Sequence, residues 1–350
     1  GVLVANAPDI LFLKDTDGDD KADVRIRLLH GIDSADTHCS ANSFVLGPDG
    51  CIYFSEGIFH YTNVETPWGK PLRTKAPMLY RWNPRTGQIA NHFYVSPNPH
   101  GIAIDEWGYL FATDATSGRG YYVGYPGAGT PHELYKKRVR PVAGFGRISG
   151  SHFSEENRGN LLICNTIGYR GILQHKVIVD GADIHSEEVE SIVISSDGNF
   201  RPVDVEIGAD GALYFLDWNN VIIGHMQHNI RDPNRDHVHG RIYRVTVSGR
   251  PLLKPVKMAG KPINEVLSFL ESLEDTVRYR ARIELSGRDS RQVLAEVRRW
   301  IVRFNPDDEE NARPLLEALW LHEQHNTIHE ELLKSVLSSP NPFVRAAATR

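Results

Sequence analysis

The chain has 350 residues, 41% of them hydrophobic and 24% charged, with a formal net charge of −5 and a mean hydropathy of −0.35. The length has room for two domains, the composition is that of an ordinary soluble globular protein, and the acidic balance gives no electrostatic reason to expect nucleic acid or an anionic membrane as partner. No apolar run approaches the ~20 residues that cross a bilayer, and three cysteines without CxxC spacing encode neither a disulfide scaffold nor a zinc ribbon nor a haem attachment here.

The first element, Gly1-Val-Leu-Val-Ala-Asn6, is a phrase that returns at Gly50-Cys-Ile-Tyr-Phe-Ser55, Gly108-Tyr-Leu-Phe-Ala-Thr113, Gly159-Asn-Leu-Leu-Ile-Cys164 and Gly211-Ala-Leu-Tyr-Phe-Leu216. The leading glycines stand 49, 58, 51 and 52 residues apart, a period that suits one four-stranded propeller blade. Turn clusters such as Gly47-Pro-Asp-Gly50 and Ala209-Asp-Gly211 separate short alternating runs. Residues 1–247 therefore read as an all-β propeller. Gly1 already lies inside a repeat, so the expectation is an incomplete ring with about five blades present, cut from a six-bladed parent.

Three segments of the propeller could carry chemistry. Asp15, Asp17, Asp19 and Asp23 occupy positions 1, 3, 5 and 9 of an acidic loop, a spacing that turns alternate carboxylates inward onto calcium. Asp20 replaces the Gly of an EF-hand and Ile26 its final Glu, so a structural, blade-connecting calcium loop fits better; a solvated acidic turn is the plain alternative. Next, His38 precedes an inner strand and would reach the mouth of the central channel as a general base; a polar loop with its His bonded to backbone is the reading that sequence alone somewhat favours. His100 and His152 are expected at the same blade position, lining the same mouth. The densest segment, Asp217 to Gly240, brings Asp217, Trp218, His225, His228, Arg231 and Asp232 to the pocket. His225 and His228 could share a metal on a helix, and His237 and His239 on an extended chain. Arg–Asp pairs that pin a long connection account for the same composition, and composition favours that simpler reading.

Residues 248–262 read as a linker rich in Pro, Gly and Lys. Beyond it the apolar period becomes helical, as in Val293, Val297, Trp300 and Ile301. Asp289-Ser290 is a helix start and Asn305-Pro306 a stop. The phrase Val-Arg-x-x-Ala occurs at Val277 and again at Val344, 67 residues later, which predicts an irregular HEAT-like all-α domain over 263–350, truncated at its end. Arg278, Arg280 and Arg282 read as a solvated helix face.

Val4–Asp19, Ile58–Gly69 and Ile223–His237 together resemble the membrane-bound dehydrogenase family of Planctomycetes, Verrucomicrobia and relatives. The resemblance implies a glucose/sorbosone dehydrogenase-like propeller with HEAT-like repeats, a periplasmic or extracellular location and, in many members, a c-type cytochrome domain beyond these residues. The wider likeness is to soluble quinoprotein sugar dehydrogenases, which implies pyrroloquinoline quinone as cofactor and His38 as the base. Cys39 stands where the family spacing would put that His, and no Arg precedes Asn98-Pro99. Two functions follow. One is oxidation of a sugar or other alcohol, with electrons passed through the quinone to a downstream haem. The other is a non-catalytic propeller that binds carbohydrate or protein, with the helices as scaffold.

Overall fold

The computed structural model describes residues 1–36, 40–66, 69–75, 77–95, 97–124, 131–136, 139, 142–220 and 232–350. Its strands form five antiparallel sheets in chain order. The first contains β1 (Val2–Asn6), β2 (Asp9–Lys14) and β3 (Val24–His30). The second contains β4 (Asn42–Leu46) and β5 (Ile52–Glu56), then, after a side hairpin of β6 (Asn63–Val64) and β7 (Leu72–Arg73), β8 (Met78–Trp82) and β9 (Ile89–Phe93). The third runs through β10 (Pro99–Ile104), β11 (Leu110–Asp114), β12 (Arg119–Val123) and β13 (His132–Tyr135). The fourth runs through β14 (Val142–Arg147), β15 (Leu161–Asn165), β16 (Gly171–Asp180) and β17 (Asp183–Ile194), and the fifth through β18 (Pro202–Ile207), β19 (Leu213–Asp217) and β20 (Arg241–Val245). The innermost strands β4, β10, β14 and β18 touch one another in that order. The sheets therefore stand radially, as a five-bladed β-propeller.

Side-chain alternation explains the arrangement. Ile52 and Phe54 of β5 pack towards Ile10 and Leu29 of the first sheet, whereas Cys51 and Tyr53 pack towards Ile102 and Leu110 of the third. Leu161 and Ile163 of β15 likewise face the third sheet, and Leu162 and Cys164 face Leu213 and Phe215 of the fifth. The glycine-led phrase is thus the second strand of each complete blade. It is apolar on successive residues because both of its faces are buried between neighbouring blades. The fifth sheet leaves the paired residues Leu216 and Ile242 exposed on its outward face.

Each second strand is entered through a tight turn whose glycine has φ near +80°, as at Gly50 (79°) and Gly211 (80°). At Gly50 and Gly211 the preceding aspartate fixes that turn. Asp49 accepts from the Tyr53 hydroxyl at 3.0 Å and from Arg81 Nε at 2.8 Å, and Asp210 accepts from Tyr214 at 2.9 Å and from Arg244. At the centre, β14 lies against the backbone of β18. A Cβ added at Gly144 would fall 2.5 Å from Asp204 Cα.

The helical part has six α-helices among the described residues: α1 (Ile263–Ser268), α2 (Asp275–Ser286), α3 (Ser290–Ile301), α4 (Ala312–Gln324), α5 (Glu330–Leu337) and α6 (Pro342–Thr349). Asp289 caps α3 by accepting from Gln292 N–H at 3.0 Å. That helix ends at Ile301, ahead of the expected Asn305-Pro306 stop. Val266, Leu285, Val297, Leu316 and Val344 share one core, and α1 touches α3, α2 touches α4 and α4 touches α6. The repeated Val-Arg-x-x-Ala phrase has one structural job in both places: Arg278 Nη1 donates to the Ser272 carbonyl, and Arg345 Nη1 to the Ser339 carbonyl, each at 2.6 Å. Arg278 and Arg282 are buried, contrary to the solvated face expected, because Glu317 meets both from α4. No helix among the described residues is long and apolar enough to cross a membrane.

The linker is docked. Leu253 N–H donates to the Asp210 carbonyl at 2.9 Å, and Met258 enters the helical core. The helices cover the end of the propeller that carries the turns into the second strands. Gln324 Nε2 donates to the Pro48 carbonyl at 2.8 Å, and Trp107 stacks on Phe343 with centroids 5.3 Å apart. Replacing Gly144 by Ala should cost about 1–3 kcal/mol, because backbone must move to admit a methyl group. Gly198→Ala, which has nothing within 4 Å, should stay within about 0.5 kcal/mol. Urea unfolding of the two variants checks this.

Candidate functional site

The inner strands surround a cavity of about 390 Å³, within the ~300–1,000 Å³ usual for small-molecule sites. Phe44, Ile102, Phe145 and Ile207 form an apolar belt around it, and Thr276 and Tyr279 of α2 lie across one end. The channel is therefore floored by a helix at that end.

Arg147 holds that floor. Its side chain is 5% exposed, and it reaches Glu106 at 2.7 Å and Asp275 at 2.5 Å. Burial alone would raise the Asp275 carboxyl, but Arg147, Arg278 and Arg282 outweigh it and hold the group below the usual carboxylate range. Burial would likewise weaken the charge on Arg147, and Glu106 and Asp275 raise it. Ser151 N–H and hydroxyl both donate to Glu274, which fixes the residue just before α2.

The mouth has its own repeated device. Each innermost strand is bulged near its first residues, between Asn42 and Val45, Pro99 and Ile102, Val142 and Phe145, and Pro202 and Asp204. Bulges re-aim side chains, and they gather next to active sites. His100 sits on one of them, and its carbonyl accepts from the Thr113 hydroxyl at 2.8 Å. Burial raises the Asp204 carboxyl, and the Val205 N–H and the His100 charge partly offset this. Asp114 and Asp217 close the second strands at the same end. Asp114 accepts from Asn98 and Thr116 N–H at 3.1 and 3.0 Å. Asp217 accepts from Arg201 and Asn219 N–H at 2.7 and 2.8 Å and from Arg241 Nε at 2.6 Å. Between the fourth and fifth blades, Arg170 and Arg201 line one recess together with Thr166 and Tyr169. Burial, then the Arg170 charge, lowers Arg201.

Of the residues expected from sequence, His38, His225, His228 and Arg231 lie outside the described residues. His100 is at the mouth. His152 is not: it follows β14 instead of preceding it, so it lies at the helical end. Its Nε2 accepts from Val247 N–H at 2.9 Å and its Nδ1 meets the Pro251 carbonyl at 3.1 Å, which pins the linker. Trp218 carries the Arg235 guanidinium over its ring at 4.8 Å, and Asp232 Oδ1 accepts from Asn234 N–H at 2.8 Å. His237 and His239 are exposed, and His239 Nδ1 meets Asp236 at 2.9 Å instead of sharing a ligand position with His237. Asp15, Asp17 and Asp19 bring one carboxylate oxygen each within 4.8 Å of one another on the β2–β3 loop. Asp23 stands apart from them, accepting from Thr16 N–H and hydroxyl at 2.8 and 2.6 Å. Asp204 and Glu206 were missed. Their signal was two acids at alternate positions of an otherwise apolar run, Pro202-Val-Asp-Val-Glu-Ile207.

The family described as "Domain of unknown function (DUF7133)" matches residues 1–132 and 132–249, and the chain belongs to it. No curated protein matches the sequence. Among solved structures, the chain is similar to an oxidoreductase (glucose dehydrogenase) of Thermus thermophilus, with 18% identity over 61% of this chain and 68% of that one and a TM-score of 0.45. It is also similar to the PQQ-bound form of aldose sugar dehydrogenase from Streptomyces coelicolor, with 14% identity, 63% and 69% coverage and a TM-score of 0.44. Virginiamycin B lyase from Staphylococcus aureus is similar at 15% identity, with 69% and 78% coverage and a TM-score of 0.35.

Replacing Arg147 by Met leaves Glu106 and Asp275 without their shared cation and should cost about 3–5 kcal/mol. Thermal unfolding followed by tryptophan fluorescence checks this, because Trp107, Trp300 and Trp320 lie in or against the helical core.

Proposed function

We propose that this member of the family is the propeller and adjoining helical part of an exported dehydrogenase-like enzyme. It would oxidise a sugar or other alcohol at the open mouth of the channel, in the periplasm or outside the cell. The observation that carries this reading is the make-up of the channel: a bulged, polar rim holds His100 near Asp204, and α2 covers the other end. A small hydroxylic molecule entering there meets an imidazole placed to take its proton. His38 is proposed as the principal base on the sequence resemblance, with Asp217, Trp218, Asp232 and the His225–Arg231 segment shaping the rim.

Pyrroloquinoline quinone, when bound, would supply the hydride acceptor. Arg170 and Arg201 suit the carboxylates of such a group: a buried guanidinium beside a second one is a setting that an anion relieves. Asp15, Asp17 and Asp19 would hold a structural calcium ion far along the first blade, and a haem domain of a longer chain would take the electrons onward. The helix contacts support a HEAT-like stack. A second reading, a propeller that only binds carbohydrate or protein, draws support from His152 and Asp217, whose described contacts are to backbone and to Arg241.

Reconstitution with pyrroloquinoline quinone and calcium, followed by dye reduction across a sugar and alcohol panel, should give a quinone absorbance change and substrate-dependent reduction. Arg201→Ala should weaken quinone binding roughly 10–100-fold, and His100→Ala should lower turnover at least about tenfold. No quinone binding together with no reduction would leave the binding reading, to be read out on a carbohydrate array. Calcium alone should raise the melting temperature of the wild type but not of Asp17→Asn.

A further inference from the structure

The charged groups around the cavity are almost all spoken for. Arg147 is held by Glu106 and Asp275, Arg282 by Glu317, and Arg280 donates to the Val256 carbonyl at 2.9 Å. Asp105, in the turn after β10, accepts from Trp107 and Tyr109 N–H at 2.9 and 2.8 Å. Asp275 is met by Arg147 and Arg278. Glu206, on β18, lines the same cavity and has no hydrogen-bond or ion-pair partner among the described residues. Asp204, two residues back on the same strand, adds a like charge. His100 lies near Asp204 on the mouth side. Glu206 is therefore the lining carboxylate without a partner among the described residues, Arg280 keeps its charge against a carbonyl alone, and Phe44, Phe145 and Tyr279 give the same void aromatic walls.

We propose that this α2-floored chamber binds a small organic cation, an amine carried on an apolar body, with Glu206 as its counter-charge. An ammonium satisfies Glu206 by a charge-assisted hydrogen bond and is attracted to aromatic faces. An anion finds Arg147 and Arg282 already ion-paired and Arg280 held by a carbonyl, and is repelled by Glu206. A neutral alcohol makes the hydrogen bond without the charge. The helical part is then integral to the site, since α2 supplies Tyr279 and the closed end. The inference concerns binding at the floor and stands apart from the redox reading of the mouth.

Burial first, and then the Asp204 charge, pushes Glu206 up to about 7. Its side chain meets solvent through the void, which tempers the shift. The sign is clear: a raised carboxyl is neutral below its folded value, so a cation should bind better above pH 7 than below it. The groups facing Glu206 are Asp204 and, from α2, Tyr279. Asp105, Arg147, Asp275, Arg280 and Arg282 complete the charged lining and are held by the partners given above.

The experiment is calorimetric titration of the whole chain with benzylamine, benzyl alcohol and benzoate at pH 8 and pH 6. Benzylamine should bind at least tenfold more tightly than benzyl alcohol at pH 8, benzoate should not bind, and the benzylamine affinity should fall several-fold at pH 6. Glu206→Gln should lose at least tenfold in affinity and most of the pH dependence while keeping its ligand-free melting temperature. Thr276→Trp, which fills the void from α2, should block the amine without touching Glu206. Equal binding of the alcohol, preference for benzoate, unchanged binding by Glu206→Gln, or no benzylamine binding below about 10 mM would each overturn the proposal. None of these readouts depends on quinone or on turnover, so failure here leaves the mouth reading where it stood.

Discussion

The contact on which the rest of the molecule depends is the one made by Arg147. It leaves the last position of an innermost strand, reaches Glu106 in the turn of the neighbouring blade, and reaches Asp275 at the start of α2. Three pieces of chain far apart in sequence meet at one guanidinium. Such a charge is tolerated out of water only when its partners are fixed. The partners are fixed in turn, because Arg278 links Asp275 to Glu317 in α4, which Arg282 also holds. The network leaves α2 one place to sit, across the end of the channel. Apolar packing alone, as between Trp107 and Phe343, would hold the two parts together without dictating that register.

The blade architecture was legible because its physical cause is local. A second strand buried on both faces must be apolar on successive residues, and the turn before it needs a glycine with positive φ, so both marks recur in the sequence. Helix caps were legible for the same reason, as Asp289 shows. What could not be read was anything decided by contact across the ring. β14 carries two glycines, Gly144 and Gly146, and so looks like a turn; those glycines are there because the backbone of β18 passes within reach of any Cβ. His152 follows that strand, so it lies at the helical end of its blade and not at the expected mouth position. The arginines of α2 looked solvated because their acidic partner, Glu317, lies 35 residues from Arg282.

The acidic loop shows a milder version of the same limit. Position-counting correctly gathers Asp15, Asp17 and Asp19, because alternate residues of a tight loop turn inward. It fails for Asp23, where Thr16 offers two donors at hydrogen-bond distance. Spacing says which carboxylates can converge; competing donors decide which of them do.

The two ends of the channel differ in what they can do. At the mouth, each bulged innermost strand starts with its register displaced, and His100 sits on one of these bulges. At the floor, Arg147 and Arg282 are ion-paired and Arg280 is held by the Val256 carbonyl. Substitutions at the rim can change its chemistry without disturbing the seat of α2, because the bonds that locate α2 run through Arg147, Glu106 and Glu274 and not through the rim.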